Sequence, residues 1–96
     1  MRKVLWAEPA LSDLDAIHAY ISRDSIIYAD AVILEILESV DRLLKFPDSG
    51  RIVPELGDQE TREIIVGNYR VMYDVGQQEI EIVTLLHGAR DFPQHQ

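Results

Sequence analysis

The chain has 96 residues, of which 47% are hydrophobic, so it can form one globular domain (residues 1–96) and is too apolar for an intrinsically disordered chain. Its formal net charge is −8, from 17 acidic and nine basic residues, and such a surface disfavours tight non-specific binding to phosphate backbones. There is no cysteine, no ligand-like histidine spacing and no phosphate-binding glycine motif, so we expect neither a metal nor another cofactor. No apolar run approaches the ~20 residues that span a bilayer, so we expect a cytoplasmic protein without membrane contact.

The first part of the chain predicts a short strand followed by a helix. Residues 2–6 are rich in valine, leucine and tryptophan, which favours a strand, and Pro9 suits the first turn of a helix. Asp13 and Asp15 are predicted to point away from the core. Apolar residues follow at helical spacing: Leu11, Leu14, Ile17 and Ile21.

A second, longer helix is predicted to start around Ser25 or Ile26 and to end before Pro47. Its apolar stripe comprises Val32, Ile33, Ile36, Leu37, Val40, Leu43 and Leu44. Two amphipathic helices joined by a short turn form a hairpin, and the hairpin must bury its apolar side on another layer.

The second half supplies that layer as three strands at residues 61–66, 69–75 and 79–87. Gly67-Asn68 and residues 76–78 separate them and have the composition of hairpin turns. The last strand becomes apolar on both faces toward its end, which predicts a central or covered position. The predicted fold is α+β: an N-terminal strand and a helical hairpin packed on an antiparallel sheet (β-α-α-β-β-β).

If the first of these turns has two residues, the register of the two strands around it follows. Directly opposed residues share a sheet face, so Arg62 is predicted on the face of Tyr73, with Arg70 on the other face. Glu63 is then the diagonal neighbour of Arg70 and its predicted partner. We expect Arg70 to project from the face that the helices leave open and Arg90 to reach the same side.

Four blocks of the chain resemble the ParE/RelE toxin superfamily. They are Asp13-Leu14 with Ile17 and Tyr20-Ile21, Phe46-Pro47 with residues 50–56, Arg62-Glu63 with residues 69–73, and residues 87–90. Together they span almost the whole chain in the order of the family. The resemblance implies the fold derived above and the toxin of a type II toxin–antitoxin system, as in plasmid stabilization, with a cognate antitoxin as partner.

The resemblance leaves the activity open between two branches of the superfamily. The ParE-like branch poisons DNA gyrase by binding and has no known catalytic residues, whereas the RelE-like branch cleaves messenger RNA on the ribosome. A third alternative is a degenerate, non-toxic member that serves as an interaction module. Because a strongly acidic protein is repelled by the phosphate-rich ribosome, the charge favours a protein target, gyrase, over the ribosome and mRNA.

Under the ribonuclease alternative only, three residues resemble catalytic positions: Glu55 as base, Arg70 as phosphate clamp and His87 as acid. Each also has a structural interpretation. Arg70 could pair with a carboxylate such as Glu63 or Asp91, His87 could donate a hydrogen bond that closes the domain, and Glu55 could be a solvated loop carboxylate.

Three further arginines are candidate contacts with the target or the antitoxin: Arg51, Arg62 and Arg90. Arginine suits this role because its planar guanidinium forms paired hydrogen bonds with carboxylates and other oxyanions.

Overall fold

A helical hairpin packs across one face of a five-stranded sheet in the computed structural model, which describes residues 2–56 and 60–88. The elements are β1 (Lys3–Trp6), α1 (Glu8–Ser22), α2 (Ile26–Arg42), β2 (Arg51–Ile52), β3 (Thr61–Val66), β4 (Tyr69–Val75) and β5 (Glu79–His87). The strands lie in the order β1-β5-β4-β3-β2. The predicted α+β fold is confirmed, and the two-residue β2 is an addition that the sequence pattern did not predict.

The sheet is mixed rather than wholly antiparallel. Strands β3 to β5 form antiparallel pairs, as predicted, and β2 pairs antiparallel with β3, but β1 runs parallel to β5. The chain leaves β1 through the helical hairpin, and a crossover of this length allows the parallel arrangement that a tight turn forbids. Strand β5 lies between β1 and β4, but β1 pairs only with residues 79–82, so the apolar end that was predicted to be central or covered has a strand on one side only. Leu85 within that end is buried, which agrees with a covered position.

The predicted register of β3 and β4 is confirmed. Arg62 is opposite Tyr73, and Ile65 is opposite Arg70. Gly67, in the turn between these strands, has φ of 58°, a left-handed conformation that glycine adopts without strain. Arg62 therefore lies on the face that carries Tyr73, and Arg70 lies on the opposite face.

Helix α1 meets the core along a stripe rotated from the predicted one. Ala10 is fully buried, and Leu14 and Ile17 pack against the core, whereas Leu11 is 47% exposed. The small side chain at position 10 allows the helix to lie close to the sheet, and the spacing of large hydrophobic residues did not predict this contact.

Helix α2 begins where the sequence predicts. The Ser25 hydroxyl accepts a hydrogen bond from the third helical N–H at 3.1 Å, and this cap confirms the predicted start.

The prediction that Asp13 points away from the core is wrong. Its carboxylate accepts hydrogen bonds from the Thr84 hydroxyl at 2.6 Å and from the Leu85 backbone N–H at 3.0 Å. Strand β1 ends at Trp6, opposite Ile82, so the edge of β5 beyond that point has no partner among the described strands. Asp13 thus provides a hydrogen-bond acceptor for β5 at the point where strand β1 no longer pairs with it.

Tyr73 is the largest fully buried side chain among the described residues and fixes the turn that precedes β2. Its hydroxyl accepts a hydrogen bond from the Gly50 N–H at 2.9 Å and donates one to the Pro47 carbonyl at 2.8 Å. A Cβ atom on Gly50 would lie 2.5 Å from that hydroxyl and 2.6 Å from the Glu63 carbonyl oxygen. Position 50 therefore requires glycine, because the Tyr73 hydroxyl and the β3 backbone lie too close to leave room for a Cβ atom.

We expect Gly50→Ala to lower the free energy of unfolding by about 1–3 kcal/mol, because the added methyl group must displace Tyr73 or the β3 backbone. Gly76→Ala is the matched control, since its Cβ would meet its nearest atom, the Glu79 carbonyl oxygen, at 3.2 Å. Urea unfolding of both variants measures the difference. Equal losses would contradict the close-approach explanation.

Burial raises the pKa of Tyr73 above its ordinary value. Above pH ~10 the unfolded chain loses this proton while the folded chain keeps it, so stability should fall as pH rises through the unfolded pKa. Urea unfolding at pH 8 and pH 10.5 should show a smaller alkaline loss for Tyr73→Phe than for the wild type. An identical pH dependence in both proteins would rule out this contribution from Tyr73.

Candidate functional site

Four charged side chains form an ion-pair cluster on the sheet face opposite the helices: Arg51, Glu55, Glu63 and Arg70. The Arg70 Nε–H donates to Glu63 Oε1 at 2.7 Å. Its two terminal nitrogens donate to the two carboxylate oxygens of Glu55, at 2.9 and 2.8 Å. The Arg51 Nε–H donates to the other oxygen of Glu63. Glu63 thus bridges two arginines.

Burial within the ion-pair cluster decreases outward from Glu63. Its side chain is 0% exposed, compared with 8% for Arg70, 22% for Glu55 and 60% for Arg51. The two positive and two negative charges cancel. The hydrogen bonds to Glu55 and then Glu63 outweigh desolvation and raise the pKa of Arg70, so its guanidinium stays charged.

The segment after β2 covers part of this sheet face. Val53 is fully buried and packs against Met72 and Leu86, and the next turn carries Glu55 to the Arg70 guanidinium. Arg70 therefore lies on the face that the helices leave open, as predicted, but the segment after β2 covers it there. A guanidinium on an apolar strand must be paired, and the carboxylate that pairs it brings its own segment onto the sheet.

The predicted pairing of Arg70 with Glu63 is confirmed, whereas Asp91, the other carboxylate considered, lies outside the described residues. The interpretation of Glu55 as a solvated loop carboxylate is incomplete, because the partly exposed side chain also forms a two-point ion pair with Arg70. Glu63 was predicted only as a partner of Arg70, and its central place in a site was missed. The available signal was its position on the same strand face as Arg70.

His87 lies on the other face of the sheet. It is directly opposite Tyr69 in the β4–β5 register, and the two rings meet edge to face with centroids 5.4 Å apart. Consecutive strand residues point to opposite faces, so Tyr69 and Arg70 are on different sides. The structure brings Glu55 and Arg70 together and keeps His87 away from them.

The three arginines predicted as contacts have different surroundings. Arg62 donates a hydrogen bond to the Gly50 carbonyl at 2.8 Å, and its Nε lies 3.7 Å from an Asp48 carboxylate oxygen, so it stabilises the turn before β2. Arg51 keeps an exposed side chain beside Glu63. Arg90 lies outside the described residues.

Within residues 2–56 and 60–88, no three histidine, aspartate or glutamate side chains are grouped as metal ligands. Neither described helix has the length and apolar character needed to cross a bilayer.

The strand–helical hairpin–sheet arrangement also occurs in a solved structure of the chromosomal ParDE toxin–antitoxin system from P. aeruginosa. The two match with a TM-score of 0.75 and 23% sequence identity, covering 91% of this chain and 96% of that one. The chain has the fold of that class of toxin–antitoxin structure.

Sequence comparison identifies the family. The family model described as the ParE toxin of the type II toxin–antitoxin system parDE matches residues 4–92. A curated candidate toxin, Y4kP of Sinorhizobium fredii, is 33% identical in an alignment of 95 residues that covers 97% of this chain and 95% of that protein. The chain belongs to the ParE toxin family of type II toxin–antitoxin systems.

We expect Glu63→Ala to lower the free energy of unfolding by about 3 kcal/mol, because it removes the buried partner of Arg70. Glu55→Ala should cost about 1 kcal/mol, since its carboxylate is partly solvated and Arg70 keeps Glu63. Glu81→Ala, which removes an exposed carboxylate from β5, is the control for lost charge. Urea unfolding of the three variants measures the order, and a larger loss for Glu55→Ala than for Glu63→Ala would contradict it.

Proposed function

We propose that this ParE-family toxin acts by binding, with DNA gyrase as its target, and that a cognate antitoxin neutralises it. The proposal rests on the hydrogen bonds that the Arg70 guanidinium already makes within the chain. A phosphate clamp must offer its guanidinium to the substrate, and here the Nε and both terminal nitrogens already donate to Glu63 and Glu55.

Replacing Glu55 with a phosphate would require the two-point ion pair to break. The same movement would lift the turn that follows the buried Val53 from the sheet. The ion-pair cluster is therefore better suited to hold the segment after β2 in place than to bind a scissile phosphate.

The position of His87 gives independent support for a binding mode. A general acid must lie within hydrogen-bond reach of the leaving oxygen, on the same side as the base and the clamp. Glu55 and Arg70 lie on one face of the sheet, whereas His87 stacks against Tyr69 on the other. The three residues that resemble a ribonuclease site do not converge on one phosphate.

Charge supports a protein target as well. The chain carries −8 overall, and two of its nine basic residues are neutralised inside the ion-pair cluster. A protein surface with complementary basic groups attracts such a molecule, while a phosphate-rich ribosomal site repels it at long range.

An antitoxin partner is proposed from the relatives. The matching family model describes the toxin of a toxin–antitoxin system, and the similar structure from P. aeruginosa is of such a system. We expect the partner to be encoded beside this chain and to relieve the inhibition of gyrase when added in equimolar amount.

The test is a pair of assays on one preparation of the purified chain. Supercoiling of relaxed plasmid by gyrase should be inhibited, and messenger RNA on stalled ribosomes should remain intact. Under the binding mode, His87→Ala should change gyrase inhibition by less than about tenfold, since truncating one contact rarely costs more than about 1–2 kcal/mol.

The ribonuclease alternative gives the opposite pattern. Messenger RNA would then be cleaved on ribosomes, gyrase would be unaffected, and His87→Ala would reduce cleavage by about 100-fold or more. A chain that affects neither assay, although folded by circular dichroism, would identify the non-toxic interaction module.

A further inference from the structure

A groove of about 280 Å³ lies where the turn between the helices meets the end of the sheet. We name it the tyrosine groove, and the lining residues that matter here are Tyr20, Asp24, Tyr28, Glu35, Tyr69 and His87. It lies on the helix side of the sheet, away from the ion-pair cluster.

Helix geometry and strand register place these side chains together. Tyr28 and Glu35 are seven residues apart in α2 and so lie on one face, two turns from each other. The Ser25 cap fixes where that helix begins. Tyr69 and His87 are directly opposed at the end of the sheet and form the floor. The groove is built by regular elements on both sides.

The tyrosine groove is electronegative. The helical hairpin, residues 8–42, contains eight acidic and two basic residues and so carries most of the net charge. Among the described residues, no lysine or arginine lines the groove, and neither Asp24 nor Glu35 takes part in an ion pair. Two carboxylates without cationic partners in this part of the structure, beside aromatic rings, favour a positively charged ligand.

The rings themselves are accessible to such a ligand. Tyr20 and Tyr28 are 65% and 59% exposed. The guanidinium carbon of Arg23 already lies 5.7 Å from the centroid of the Tyr20 ring, so a guanidinium stacks on one of these tyrosines within the chain itself. Tyr28 is similarly exposed, and among the described residues no guanidinium stacks on its ring.

We propose that the tyrosine groove binds an arginine side chain presented by a partner protein. The planar guanidinium would stack on Tyr28, and the Asp24 and Glu35 carboxylates, which line the same groove, would attract its charge. Ile26 and Ile27, in the same first turn of α2, are 64% and 84% exposed and offer apolar surface to the segment that carries the arginine. This proposal does not depend on gyrase being the target.

Two peptides that differ in one charge test the proposal on the full chain. The first is acetyl-Ala-Leu-Arg-Leu-Ala-amide, and the second has neutral citrulline, which keeps the shape of arginine, in place of the arginine. In two-dimensional ¹H–¹⁵N NMR titrations, the arginine peptide should shift the amide signals of the groove and bind at least about fivefold more tightly. Equal affinities, or shifts outside the groove, would overturn the proposal.

Variants then assign the contacts. Glu35→Gln should weaken binding of the arginine peptide about fivefold, whereas Glu38→Gln, the same charge change on the same helix outside the groove, should change it less than twofold. Tyr28→Phe keeps the ring and should preserve binding, while Tyr28→Leu should weaken it. Equal effects of the two glutamine variants would mean that only overall charge matters and would contradict the proposed site. Because binding is measured directly, the outcome of the gyrase assay does not affect this test.

Discussion

The Glu63 carboxylate, buried between two guanidinium groups, is the contact on which one side of this molecule depends. A fully buried carboxylate is costly unless it is paired, and Glu63 is paired twice, with Arg51 on β2 and Arg70 on β4. It therefore ties three neighbouring strands together through side chains. Since Arg70 also holds Glu55, the same interaction keeps the segment after β2 on the sheet and Val53 out of water.

That pairing also explains why a catalytic motif in sequence need not be a catalytic site. Glutamate, arginine and histidine at family positions have the residue types that metal-free RNA cleavage requires. In this chain the arginine is held between two carboxylates, and the histidine is on the opposite face of β4 and β5. The chemistry of the motif depends on which sheet face each residue occupies and on what already binds it.

The parts of the fold that local signals determine could be predicted from sequence. A two-residue turn set the β3–β4 register, and Ser25 set the start of α2, although the helix ends at Arg42, earlier than the end predicted from Pro47. The parts that were missed all depend on residues distant in the chain. Asp13 has a role only because β1 stops short of the end of β5, and the contact of Glu55 with Arg70 depends on a path between β2 and β3 that no periodicity encodes.

The turn between β3 and β4 determines which residues lie on each face of the sheet. Tyr69 begins β4 and faces the tyrosine groove, and Arg70, the next residue, enters the ion-pair cluster on the other face. A shift of one residue in the β3–β4 pairing would exchange these faces and place a charged guanidinium under the helices. Gly67, whose φ of 58° suits the two-residue turn, disfavours that shift. The conformation of this turn therefore keeps the neutral ion-pair cluster on one side and the electronegative groove on the other.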